Sequence, residues 1–398
     1  MLDGIRVLDL TQYLSGPTST LLMARLGADV IKVEPGPRGD LARLLPIIEG
    51  ETSSYFVQQN RGKRSICIDL STDEGIALVR RMAAECDVLV ENFAQGVLER
   101  KGLGPDRLRA DNPGLIYASI SAYGRTGSKS HLPGFDLIAQ AYGGMTALTG
   151  EPDGAPISAG APMADVSAGY LAFAAIGHAL FARTRTGEGQ FIDTSMVDAI
   201  FAMHPFAVQG PSVTNGKARL KRTGRHFGSV PPAGTYKGPD GWIVLQVLDA
   251  QWPRLCEAAA AIGLGDDERF TDSRLRQTNK LVLMDVLQAW MDTYESNEAL
   301  LAHLEAHRLP AAPVVDPADA HLDPWFIEQG AVVEVEDPDM GTMRVPGVPL
   351  RMSAMPDRPV EPPAPQLGQQ STEILADLLS MSTDEIAALA AAKTISRV

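Results

Sequence analysis

Cysteine is almost missing from this 398-residue chain: Cys67, Cys86 and Cys256 are far apart, odd in number and lack any C-x-x-C spacing. Such a set builds neither a disulfide framework nor a structural zinc site, and it suits a reducing cytoplasm. Positive charge is scarce too. Lys and Arg number 35 against 49 Asp and Glu, a formal net charge of -14. The surface at large therefore repels nucleic acid and anionic membranes, while a local basic pocket stays possible. No G-x-G-x-x-G follows the first apolar run, so nothing warrants a nicotinamide or flavin cofactor. A G-x-S-x-G nucleophile elbow is also lacking. The glycines of Gly124-Arg125-Thr126-Gly127-Ser128-Lys129-Ser130 stand too close to wrap a triphosphate, and the segment reads as an ordinary loop. His303 and His307 are four apart, but Glu305 falls on another face, so the pattern is not a zinc protease motif and no metal is expected. Residues 2–8 lack the charged start, apolar centre and cleavage site of a signal peptide.

What is present is an α/β pattern. Short β-branched runs, at Ile5 to Leu10, Val30 to Val33, Ser65 to Asp69, Val88 to Val90 and Leu115 to Ser121, alternate with helical stretches. That order predicts a doubly wound, Rossmann-like parallel sheet. Thr72 is placed to cap a helix from Asp73 to Glu85. Val166 to Phe181 is nearly uncharged and rich in Ala and Gly. It reads as too short and too weakly apolar to span a membrane, and as a helix buried in the large domain. Residues 1–205 form the first part of that domain, and Gly, Pro, Ser and basic residues over 206–240 read as a linker and active-site loop. A small α+β domain follows over 241–325, and 326–398 returns to the large domain through a hairpin, a proline-rich connector and two helices.

Leu2-Asp3-Gly4-Ile5-Arg6-Val7-Leu8-Asp9-Leu10, Ser15-Gly16-Pro17, Leu26-Gly27-Ala28-Asp29-Val30-Ile31-Lys32-Val33-Glu34, Asn60-Arg61-Gly62-Lys63-Arg64-Ser65, Val90-Glu91-Asn92-Phe93, Gly134-Phe135-Asp136, Arg185-Thr186-Gly187-Glu188-Gly189-Gln190 and Leu367-Gly368-Gln369 occur in this order. Together they resemble the family III CoA-transferases (CaiB/BaiF type) and 2-methylacyl-CoA racemases along nearly the whole chain. The resemblance implies a large domain made from both chain ends, a small inserted domain, and an interlocked, ring-like homodimer. It also implies acyl-CoA and a carboxylate as substrates, with no metal or redox nucleotide.

Asp165 opens the long apolar helix pattern. A carboxylate there serves as a helix cap. It can equally stay ionised at the positive helix end and act as a nucleophile, with nearby amides stabilising an oxyanion. The resemblance implies the second role: Asp165 attacks an acyl-CoA thioester to give a mixed anhydride, and CoA returns to form an aspartyl-CoA thioester. A racemase needs a second acid/base group. Where the resembling racemases have His, this chain has Phe135, which cannot move a proton, although His131 lies four residues upstream. Transfer is therefore favoured over racemisation, and over a CoA-binding paralogue without turnover.

The resemblance places Asn92 and Phe93 beside adenine and pantetheine, with Arg100 at a phosphate. Arg38 replaces a family basic residue whose place Pro35 takes, and Lys63 extends the basic site. Leu14, Phe135 and Gly228 line the acyl pocket. Leu14 and Phe135 stand where formyl and oxalyl transferases carry Gln and Tyr, and the glycine flap is short at residues 224–229. A less polar pocket follows, which argues against oxalate as acceptor.

Overall fold

The computed structural model describes residues 1–227, 231–355 and 360–396. In chain order the first elements are β1 (Arg6–Asp9), α1 (Ser15–Arg25), β2 (Asp29–Pro35), a small hairpin of β3 (Ile48–Glu49) and β4 (Thr52–Ser53), α2 (Ser54–Asn60), β5 (Arg64–Ile68), α3 (Asp73–Ala84) and β6 (Val88–Glu91). Then come α4 (Val97–Arg100), α5 (Pro105–Asp111), β7 (Ile116–Ser121), α6 (Asp136–Tyr142), α7 (Met145–Leu148), α8 (Met163–Thr186), β8 (Phe191–Ser195) and α9 (Met196–Phe201). Thr72 caps α3, its hydroxyl accepting from the Gly75 amide at 3.1 Å, and Asp73 and Glu74 complement the helix dipole.

Two compact units divide the chain: residues 1–145, 159–205 and 321–398, and residues 146–158 with 206–320. The first unit is built on a seven-stranded sheet in the order β14-β5-β2-β1-β6-β7-β8, where β14 is Ile395–Ser396. All neighbours are parallel except β14, which pairs antiparallel with β5. Val7, Val30 and Val88 enter one apolar cluster, while their chain neighbours Leu8, Ile31 and Leu89 enter another. Side chains alternate across a strand, so the sheet is covered on both faces, as parallel sheets require. α6, α8 and α9 supply one cover, and α3, α5 and the helix Ser371–Leu379 the other.

From β1 the chain winds one way to β2 and β5, then crosses to β6 on the other side of β1. The carboxyl ends of β1 and β6 thus flank the reversal of strand order, where α/β sheets open a crevice for ligands.

α8 departs from the expectation of a short, wholly buried helix. It runs for 24 residues with a mean hydropathy of 1.3 over its most apolar stretch, enough by length and composition to cross a membrane. Only one stripe, Ala164, Ala168, Gly169, Ala172, Ile176 and Ala179, is buried; Leu171 and Phe181 are exposed. The stripe is small because α8 lies against α1. A Cβ on Gly169 would come within 2.5 Å of the Ser15 carbonyl oxygen.

In the second unit β9 (Ala233–Gly238), β10 (Gly241–Gln246) and β11 (Ala311–Pro313) form an antiparallel sheet. One face carries Tyr236, Ile243 and Leu245 into a core with Leu287, Trp290 and Leu300. Residues 233–238 are therefore a strand and not part of a linker; the Gly-Thr-Tyr-Lys-Gly run pairs in full register with β10. His303 and His307 meet with ring centres 4.6 Å apart and planes tilted by 41°, and each ring bonds a backbone carbonyl. Back in the first unit, β12 (Val332–Asp337) and β13 (Gly341–Pro346) form the expected hairpin. The proline-rich connector lies partly outside the described residues. Its Glu361 is pinned by Arg61 at 2.7 Å and Arg25 at 3.1 Å.

Candidate active site

The loop from β1 to α1, residues 10–14, forms the floor of the crevice. Tyr13 takes a left-handed φ of 62°, which a non-glycine residue adopts only when held there. The Thr11 amide donates to Asp9 at 2.9 Å, the Gln12 amide to Asn92 at 2.9 Å and the Tyr13 amide to Asp40 at 3.2 Å. Beneath the loop lie three buried ion pairs: Asp9 with Lys63 at 2.9 Å, Lys32 with Asp40 at 2.9 Å and Glu34 with Arg43 at 2.7 Å. Burial pushes the Asp9 carboxyl up, but Lys63 and Lys32 outweigh it and hold the group well below the usual carboxylate range.

Asp165 is the third residue of α8 and does not cap it. That task belongs to Asp136 of α6, whose Oδ1 accepts from the amides of Ala164 at 2.7 Å and Asp165 at 3.2 Å. Gln140 donates to the other oxygen of Asp136 at 2.6 Å. The Asp165 carboxylate is thereby released from structural duty. Burial, with Asp136 nearby, pushes its carboxyl up to about 6, while a hydrogen bond from Ser15 pulls the other way. A carboxylate raised to this range, ionised at neutral pH and more basic than usual, is suited to nucleophilic attack.

Asn92, at the end of β6, spends its amide within the protein, donating to the Gln12 carbonyl at 2.7 Å and the Ser15 hydroxyl at 3.3 Å. It steadies the β1–α1 loop and the start of α1. Phe93 is half-buried against the core cluster. Arg100, at the end of α4, and Arg38, after β2, are exposed, and no ion pair engages them among the described residues. Both are free to meet phosphate. Lys63 is not. Its ammonium is buried and donates to Asp9 at 2.9 Å, Thr20 at 2.7 Å and Asn60 at 2.8 Å, which uses all three protons. Neighbouring Arg64 is also committed, to Asp29 at 2.6 Å and Glu373 at 3.0 Å.

Leu14 is buried at 5% exposure and shapes the loop from within. Phe135 is 70% exposed and meets the edge of Tyr13, ring centres 6.5 Å apart. It is therefore an accessible apolar wall and not core. His131 is exposed. Gly228 lies outside the described residues. Sequence reading passed over Tyr55, whose hydroxyl pKa is raised by burial and by the nearby carboxylates of Asp165, Asp40 and Asp136. It also assigned no task to Ser15, although Ser15-Gly16-Pro17 stood among the recognised segments; a serine opening the helix after β1 was the available signal.

Residues 2–371 match the family described as CoA-transferase family III. The chain is 38% identical to the succinate–glutarate CoA-transferase of Agrobacterium fabrum over 95% of each chain. It is 37% identical to the succinyl-CoA–D-citramalate CoA-transferase of Chloroflexus aurantiacus over 99% of this chain and 98% of that one. Among solved structures, a CaiB/BaiF family protein from Brucella suis superposes with a TM-score of 0.83 at 35% identity, covering 95% of this chain and 99% of that one. The chain belongs to CoA-transferase family III and is an enzyme that transfers CoA between carboxylic acids.

Proposed function

We propose that Asp165 carries the acyl group and then CoA. Its carboxylate attacks the thioester carbonyl of the donor, forming an aspartyl–acyl anhydride and expelling CoA thiolate. The thiolate attacks the Asp165 carbonyl of that anhydride, giving an aspartyl-CoA thioester and releasing the donor acid as carboxylate. The acceptor carboxylate attacks this thioester, forming a second anhydride and again expelling CoA thiolate. Attack of the thiolate on the acceptor's carbonyl yields the new acyl-CoA and restores Asp165. One thioester is exchanged for another, so the sequence needs neither ATP nor net proton transfer. Positioning and stabilisation of the oxyanions supply the rate.

One observation carries this reading. Asp165 stands in the first turn of α8 with its capping task taken over by Asp136 and its carboxyl raised to about 6. Replacing Asp165 by Ala is expected to lower kcat by at least about 10³-fold with the fold intact by circular dichroism. An active Asp165→Ala enzyme overturns the reading. Wild-type activity should fall as pH drops through about 6, where the nucleophile becomes protonated.

The relatives named for succinate, glutarate and citramalate support succinyl-CoA as donor and a four- or five-carbon dicarboxylate as acceptor, and an apolar Phe135 wall suits these longer acids better than oxalate. Arg38 and Arg100 are the proposed phosphate partners of CoA, with Phe93 beside its pantetheine arm. The exposed apolar residues Leu137, Ile138, Leu171 and Phe181 support an interlocked homodimer in which a second copy covers this face. Three cysteines that form no disulfide among the described residues, two of them buried, fit a cytoplasmic setting.

A further inference from the structure

The loop after β7, set aside above as an ordinary glycine loop, holds an anchored side chain. Arg125 is 8% exposed and ion-paired through Nη2 with Glu91, while its Nε donates to Ser119. The other oxygen of Glu91 accepts from the Phe93 amide at 2.8 Å. The loop is tied back a second time where Gln95 donates to the Arg125 carbonyl at 3.0 Å, and a third where the Arg125 amide donates to Asp193 at 2.7 Å. Glu91 is the last residue of β6, immediately before Asn92 and Phe93. Asn92 in turn bonds Gln12 and Ser15. Polar contacts therefore tie Arg125 to the Glu91–Phe93 turn, and the next residue of that turn, Asn92, to the start of α1.

The pair is poorly explained as a stabilising device. Among the described residues Arg125 keeps Nη1 buried with no partner, and a buried donor left unpaired costs stability. Buried ion pairs in general add little stability over apolar packing, and their best use is to fix one geometry. Two separate strand ends are joined here, those of β6 and β7, by a planar guanidinium with a rigid fork of donors.

We propose that Arg125 is a positioning residue for CoA: by gripping Glu91 it fixes the Glu91–Phe93 turn against which the CoA moiety of the donor is bound. This rests on the placement of CoA beside Phe93 given above, and its consequence is specific. Loss of the grip acts on the acyl-CoA and spares the acceptor acid, which is proposed above to meet Asp165 and the Phe135 wall.

The test is steady-state kinetics of Arg125→Gln and Arg125→Lys, varying donor and acceptor separately, with CoA binding measured by calorimetry. Arg125→Gln should raise the KM for acyl-CoA and weaken CoA binding about tenfold, while the acceptor KM stays within about twofold. Arg125→Lys, which keeps the charge, should recover part of that loss. If Arg125→Gln does not fold, the neutral pair Arg125→Gln with Glu91→Gln leaves no buried lone charge and is read the same way. A lowered melting temperature with an unchanged acyl-CoA KM, or equal effects on donor and acceptor, overturns the proposal. Failure of the Asp165 chemistry shows separately, as full activity in Asp165→Ala, and leaves the CoA-binding result intact.

Discussion

The charges beneath the β1–α1 loop and those around its rim have opposite fates. Below, Asp9, Lys32, Glu34, Asp40, Arg43 and Lys63 are buried and paired with one another. At the rim, Asp165 is half-buried with no cation beside it among the described residues, and Arg38 and Arg100 stand exposed. Paired charges hold a loop in one shape and have nothing left for a ligand. Rim charges are left for substrate. Residue type alone does not separate the two sets, since each contains Asp and Arg.

Breaking the floor should have the largest effect on stability. Lys63→Met takes away the direct ion-pair partner of the buried Asp9 carboxylate and should cost about 3–5 kcal/mol in urea unfolding. Adding Asp9→Asn should recover much of that loss. A small effect of Lys63→Met would mean that the ammonium is not confined below the loop.

Neutralising the rim should act in the opposite direction. The Asp165 carboxyl is raised in the folded protein, so its ionisation disfavours the fold. The associated stability is complete below the unfolded value near 3.8 and is lost as pH rises through about 6. Asp165→Asn should therefore stabilise the protein at pH 7 by about 1–3 kcal/mol, a gain that fades below about pH 4. Stability and catalysis pull apart at this residue.

Arg100→Ala should be the mildest change. It is expected to raise the KM for acyl-CoA about tenfold and leave the melting temperature where it was. A drop in stability matching that of Lys63→Met would place Arg100 with the floor.

The sequence was most readable where periodicity and local chemistry decide the structure. Alternating β-branched runs located five parallel strands, and Thr72 marked the start of α3, because cap and strand signals are written within a few residues. β8 and β14 were missed. β14 has only two residues, and its pairing with β5 depends on a segment more than 300 residues away. α8 was underestimated because composition does not tell which stripe of Ala and Gly meets a neighbour. The site was legible as motifs but not as roles. Lys63 looked like a phosphate ligand beside Arg64 until Asp9, 54 residues upstream, claimed it. By helix-start position alone Asp165 reads as a cap, a place that Asp136, 29 residues upstream, holds. Long-range partners decided both.

The central claim is that Asp165 is a nucleophile held ready by Asp136. Its most direct test is mass spectrometry of the peptide carrying Asp165 after incubation with acyl-CoA alone, followed by hydroxylamine. The account predicts conversion of Asp165 to its hydroxamate, dependent on acyl-CoA and absent in Asp165→Ala. An unmodified Asp165 under conditions where CoA exchange proceeds would contradict it.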